Sequence, residues 1–312
     1  MAGRRKTLLR RGQEINDTYR VVCFIGRGAF GEVYRVRHHV FGNQALKVFT
    51  SDFVESSDMK ALSEEAVILS RLTHKNIVRV FEANTVEVNG ERRPFMTMEF
   101  VSGESLAQLL KRKLRLDLAV CLSIQSALLE GLVEMHLQSP PILHRDISPD
   151  NVLLSYDQSP PRALISDYGL AQSVDQLAHI SGAAGKYLYM APECFWGAYL
   201  PSSDVFSAGI VFYRMLTGVF PWHYDFEELE KASCDRVVNV IGRGQKSPPE
   251  PPSMVAEHCP RELDEVVLKS IGTNLEERYK NAGEFLDGLS AFLRCTRGAF
   301  TLDDEDPDLL YV

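Results

Sequence analysis

A chain of 312 residues, 45% of them apolar, can bury a core well beyond the marginal range and fold as two lobes of ordinary domain size without covalent staples. A formal charge of −8 and a pI near 5.6 speak against a nucleic-acid partner, which needs a basic face, so the cluster Arg4, Arg5, Lys6, Arg10 and Arg11 reads as part of a solvated tail, residues 1–18. Six cysteines without a CxxC pair suggest neither a zinc site nor a disulfide framework and fit a reducing compartment, the cytoplasm; no apolar run reaches the ~18 residues of a membrane span, and Met1 to Gly12 lacks a signal peptide's apolar centre.

From Tyr19 to Ile25 the pattern has period two and reads as a strand, running into Gly26, Arg27, Gly28, Ala29, Phe30 and Gly31. Residues 32–37 return as a second strand. A dinucleotide fingerprint sits between strand and helix and has an acidic partner about 20 residues on, so that reading is the weaker one. Glycines let backbone N–H groups approach phosphate oxygens, and Phe30 can cap such a loop; an ordinary hairpin turn stretches poorly to three glycines. The strand 44–49 holds a lone lysine, Lys47, among apolar neighbours, and an unpaired ammonium there would be costly. A helix expected over residues 59–72 supplies an anion, because Glu65 is the one charge on the face of Leu62, Ala66, Leu69 and Leu72. The other reading leaves Glu65 solvated at the helix edge.

Strands expected around 77–82 and 85–88 lead through Asn89 and Gly90, a type I′ hairpin signal, to 94–101. The stretch 19–101 thus offers six strand segments and one helix, read as a small lobe built on a five-stranded antiparallel sheet. At Ser102, Gly103 and Glu104 the period changes to 3.6, which marks the joint to a larger, mainly helical lobe, 102–296. There Cys121, Ile124, Leu128, Leu132 and Met135 form one stripe, and residues 204–218 are apolar nearly all round, as in a central buried helix that Ser202, Ser203 or Asp204 can cap and Gly218 can end. Residues 247–252 form a proline-rich connection, 262–294 read as helix, and 297–312 as an acidic tail. The fold class is α+β.

The chemistry concentrates between the two helical stretches. Residues 144–151 place Asp146 and Asn151 five apart in a non-helical loop, and Asp167 follows on a turn hinged at Gly169. Three oxygen donors of the kind Mg²⁺ prefers, with a carboxylate able to orient a hydroxyl, read as phosphoryl transfer. The same spacing also serves small-molecule phosphotransferases.

Taken together these motifs resemble the protein kinase family, from about Tyr19 to Arg294. The resemblance implies the bilobal kinase fold, ATP and Mg²⁺ as cofactors, and protein substrates modified at Ser or Thr. It makes Gly26, Gly28 and Gly31 the phosphate-covering loop and Lys47 with Glu65 the phosphate-gripping pair. Asp146 becomes the hydroxyl-orienting base, and Asn151 and Asp167 the metal ligands. Met98 would be the gatekeeper, Glu99 and Val101 would bond adenine through their backbones, and Ile25, Val33, Ala45 and Leu153 would sandwich its ring. Leu69, Val80, His144 and Tyr168 would stack as a spine, Asp204 would hold the catalytic loop, and Glu193 would pair with Arg278, which disfavours a small-molecule phosphotransferase. Arg145 suggests a pocket for a phosphorylated residue, Ser181, Ser173 or Tyr187, or for Asp175.

One exchange departs from the family. Its Ser/Thr members usually carry lysine two residues after the catalytic Asp and threonine in the segment before Ala191-Pro192-Glu193; here those positions hold Ser148 and Lys186. Lys186 is expected to bring the missing charge from the activation segment, as in a bacterial subgroup with a similar Ser-Pro-x-Asn loop. The other reading is a surface Lys186 in an impaired enzyme, or a pseudokinase that binds nucleotide or scaffolds without turnover.

Overall fold

The computed structural model of the chain describes residues 7–28, 31–50, 70–157, 161–167 and 184–296. The small lobe is an antiparallel sheet in the order β1-β2-β3-β4-β6-β5, with β1 at Glu14–Ile15, β2 at Tyr19–Arg27, β3 at Gly31–His38, β4 at Gly42–Phe49, β5 at Val80–Val88 and β6 at Glu91–Glu99. Side chains alternate across it, so Tyr34, Val36, Leu46 and Val48 point to one core, and Ala45 and Phe49 to another. Asn89 and Gly90 both take positive φ, 54° and 82°, at the β5–β6 turn, as a type I′ hairpin requires.

Three expectations for this lobe are corrected. The described sheet has six strands rather than five, because Glu14–Ile15 pairs with the start of β2. Residues 7–18 are no tail, since Leu9 and Ile15 are each 1% exposed in the upper core; their burial outweighs the charge of the neighbouring arginines. The two strands expected over 77–82 and 85–88 are one strand, bulged between Val80 and Glu82, and Ile77 instead bridges to Ile165 of the large lobe. A bulge inserts one residue and breaks the alternation that the pattern depends on. The helix expected over 59–72, including Glu65 and Leu69, lies outside the described residues up to 69.

The large lobe opens with β7, Gly103–Ser105, which is a strand and not a bare joint: it pairs with β8, Val152–Ser155, which pairs with β9, Arg162–Ile165. Ser105 caps α1, Leu106–Arg112, through a reciprocal contact with Gln108. Helix α2, Leu118–His136, buries the predicted stripe. By length and composition alone it could cross a membrane, but half of it is buried inside the lobe, where it packs on the central helix, on the C-terminal helix and on β9. The short α3, Ala184–Tyr187, precedes the central helix α4, Pro201–Thr217, which is buried along nearly its whole length and ends at Gly218 with φ 80°. Its N-cap is Leu200 rather than a serine, with Pro201 at the first helical position, where a missing N–H costs nothing. Ser203 accepts from the Leu200 N–H at 3.1 Å, and Asp204 is left to serve the loop beneath. The stretch 262–294 is not one helix. A 3₁₀ turn leads into α8, Asp264–Ser270, and after a loop Asn281 caps the C-terminal helix α9, Ala282–Cys295; between Ser270 and α4, α5 to α7 are Phe226–Lys231, Cys234–Gly244 and Pro252–Val255.

Candidate active site

The catalytic loop hangs from α4. Asp204, in the first turn and 2% exposed, accepts from the His144 N–H at 2.8 Å and the Arg145 N–H at 2.9 Å. His136 Nε2 lies 3.1 Å from the same carboxylate, while His136 Nδ1 accepts from the Ala282 N–H at 3.3 Å, so Nε2 carries the proton and donates. Burial pushes the Asp204 carboxyl up, but His136, His144 and the loop N–H outweigh it and hold it below the ordinary range. His144 is fully buried; its Nδ1 accepts from the Asp146 N–H and its Nε2 donates to the Ser166 carbonyl at 3.0 Å. Arg145 takes φ 67°, a left-handed turn of the chain directly before Asp146.

Asp146 Oδ2 accepts from Asn151 Nδ2 at 2.9 Å and from Lys186 Nζ at 2.7 Å, leaving Oδ1 outside both contacts. Asn151 Nδ2 also donates to the Asp146 carbonyl at 2.7 Å, so its amide oxygen is turned away from that loop. Lys186 is thus in direct contact with the Asp146 carboxylate. Burial pushes its pKa down, yet Asp146, Asp167 and Asp150 outweigh it and hold the pKa above the ordinary lysine value. Ser148 is 1% exposed and its hydroxyl has no hydrogen-bond partner among the described residues.

Lys47, 4% exposed on β4, donates to Asp167 Oδ1 at 2.7 Å. Asp167, at φ 59°, is pushed up by burial and pulled further down by the charge and hydrogen bond of Lys47, with Lys186 and His144 adding to it. Glu65, the partner expected for Lys47, lies outside the described residues. Asp167 and Asn151 present a carboxylate and an amide oxygen, a hard donor pair that suits Mg²⁺ sharing its remaining positions with phosphate and water.

Around the adenine position, Ala45 and Met98 are cross-strand partners and pack in one core with Val33, Val101 and Leu153. Glu99 turns its carboxylate away to Arg162 at 2.9 Å, while Ile25 is half-exposed at the end of β2. Gly28 N–H donates to the Gly31 carbonyl at 2.9 Å, closing the turn. A Cβ on Gly26 or Gly28 would meet nothing within 4 Å, whereas one on Gly31 would collide with the Val48 carbonyl. The third glycine is therefore required by strand packing, and the first two line open space. Ala29 and Phe30 lie outside the described residues.

Arg278, its side chain wholly buried, grips Glu193 with Nη1 at 2.7 Å and Nη2 at 3.2 Å. Burial raises the Glu193 carboxyl, and Arg278 more than reverses it. Of the spine, Val80 and His144 are buried; Leu69 and Tyr168 lie outside the described residues, as do Ser173, Asp175 and Ser181. Tyr187 is corrected as a phosphate acceptor. It is 2% exposed, beside Phe195, and burial shields it. The Arg145 guanidinium lies over the Tyr199 ring at 4.9 Å. Sequence reasoning missed Tyr199 and the bridging His136, whose one signal was its place directly after the α2 stripe.

The model of the protein kinase domain matches residues 19–288. A probable serine/threonine-protein kinase of Clostridium perfringens is 26% identical over 304 residues, covering 95% of this chain and 42% of that protein. Serine/threonine-protein kinase PknA of Mycobacterium tuberculosis is 30% identical over 288 residues, 90% of this chain and 62% of that protein; the chain thus spans less than two thirds of the length of both relatives. Among solved structures, the PknI kinase domain of M. tuberculosis superposes with a TM-score of 0.66 at 25% identity, covering 92% of this chain and 99% of that one.

Proposed function

Because this chain belongs to the protein kinase family, we propose that it transfers the γ-phosphate of Mg·ATP to serine or threonine hydroxyls of protein substrates, its own included. One observation carries the reading: Lys47, Asp146, Asn151, Asp167 and Lys186 come from four segments of the chain, with Lys47 on Asp167 at 2.7 Å, Asn151 and Lys186 on Asp146 at 2.9 and 2.7 Å, and the Lys186 charge felt by Asp167. Asp146 orients the acceptor hydroxyl through its uncommitted Oδ1 and takes the proton late, since a loose transition state asks more for positioning than for basicity. Lys186 sets a fixed positive charge beside the group in transfer, and Lys47 grips the inner phosphates. Asn151 and Asp167 would hold Mg²⁺, which when bound neutralises phosphate charge. Val33, Ala45, Met98, Val101 and Leu153 form the apolar bed for adenine. The five cysteines whose side chains are described are all free, which supports a reducing compartment such as the cytoplasm.

The test is incubation with labelled ATP, Mg²⁺ and a generic protein acceptor, beside Asp146→Asn. Labelling of the acceptor or of the protein itself is expected, with Asp146→Asn slower by ~10²–10⁴ and ATP binding nearly intact. ATP binding without any labelling would instead identify a nucleotide-binding module.

A further inference from the structure

Glu32 stands at the start of β3, one residue after the last glycine of the phosphate-covering turn, and is 1% exposed. A buried carboxylate is costly unless it is paired, so its partners are informative. Oε1 accepts from Arg27 Nε at 2.9 Å; Arg27 lies between Gly26 and Gly28 and faces Glu32 across the β2–β3 ladder. Oε2 accepts from the Leu8 N–H at 2.9 Å and from the Tyr34 hydroxyl. That hydroxyl oxygen in turn accepts from the Leu9 N–H at 3.0 Å. Leu9 and Tyr34 are both anchored in the upper core. Burial drives the Glu32 carboxyl up, but Tyr34, the Leu8 N–H and Arg27 outweigh it and keep it ionised at neutral pH.

Successive strand residues point to opposite faces. Val33 packs in the cleft core with Ala45 and Met98, so Glu32 faces the upper side and cannot touch a nucleotide. Resting on the ATP-dependent reading above, we infer that Glu32 is a positioning residue: it acts through Arg27 to hold the glycine-rich turn over the phosphates, with the segment Leu8–Ile15, anchored by the buried Leu9 and Ile15, as the fixed end of the tie.

The experiment compares native protein with Glu32→Gln, Arg27→Met and the double variant, measuring ATP KM, kcat, ATP affinity by calorimetry and the thermal midpoint. Glu32→Gln keeps the shape and the acceptor for Leu8 but loses the charge. Each single variant is expected to raise KM about three- to tenfold, with kcat changed less than twofold, and the double variant to cost no more than either single one. Unchanged KM in Arg27→Met, additive losses, or a lowered thermal midpoint with unchanged KM would overturn the inference. Native protein that takes up no ATP would overturn the proposed function, and this inference with it. Native and Glu32→Gln proteins of equal ATP affinity and KM would overturn this inference alone.

Discussion

On the proposed reading, Lys186 would join two properties that are separate in the usual arrangement of this family: the cation beside the transferring phosphate and the position of the activation segment. It sits on the four-residue α3, not on the loop pinned by Asp204, yet reaches Asp146 at 2.7 Å and remains charged because three carboxylates surround it. Removing a preorganised charge from a developing transition state typically costs 10²–10³ in turnover. Lys186→Met should therefore lower kcat ~10²-fold with ATP affinity little changed, and Ser148→Lys combined with Lys186→Thr should recover part of it; steady-state kinetics decide. Undiminished turnover in Lys186→Met would remove Lys186 from the mechanism. The exchange of residue types between positions 148 and 186 was legible in the sequence because motif spacing fixes both places. The burial of Tyr187 was not, since nothing local distinguishes it from a surface tyrosine; it is set by packing against Phe195 and α6.

At the scale of elements, α4 works as a frame. Its first turn gives Asp204 to the catalytic loop, while Ser203 donates to Glu193 at 2.7 Å and the Ser202 carbonyl accepts from Arg278. A carboxylate whose pKa is lowered on folding contributes stability that is complete above its unfolded pKa, ~4.3 for Glu, and is lost as pH falls toward the folded value. Native protein should therefore lose stability on acidification below about pH 5. Arg278→Met strands a buried carboxylate, at a cost of ~3–5 kcal/mol near pH 7, and should flatten the acid limb, because Glu193 no longer has the cation that depresses it. Denaturant midpoints at pH 7 and pH 4 measure this, and equal losses at both would contradict it. Helix α4 was readable from its unbroken apolarity, and the β5–β6 turn from Asn89 and Gly90. The break after Ser270 was missed because the loop it opens is held by tertiary contacts, above all Arg278 Nε on the Gly272 carbonyl at 2.7 Å.

For the whole molecule, the division that matters physically is not the one between lobes. Ala45, Phe49, Met96 and Met98 of the small lobe belong to one continuous core with Leu128, Leu164 and Phe206 of the large lobe. The opposite face of the same strands, with Leu46, Val48, Tyr34 and Val36, forms a separate upper core closed by Leu9 and Ile15. The sequence concealed this lid, because Leu9 sits beside Arg10 and Arg11 and charge dominates a composition reading of that end. Local opening follows such boundaries, and a layer with few partners opens first. Leu9→Ala should cost about 2–5 kcal/mol, as expected for a buried leucine whose site collapses only in part, and the cost should fall on the upper layer. Amide hydrogen exchange followed by mass spectrometry should then show faster exchange in β2, β3 and β4 and unchanged protection in α4. Acceleration of equal size in α4 would mean that both cores open together, and that the segment from Leu8 to Ile15 supports the entire domain rather than the sheet that carries the glycine-rich turn.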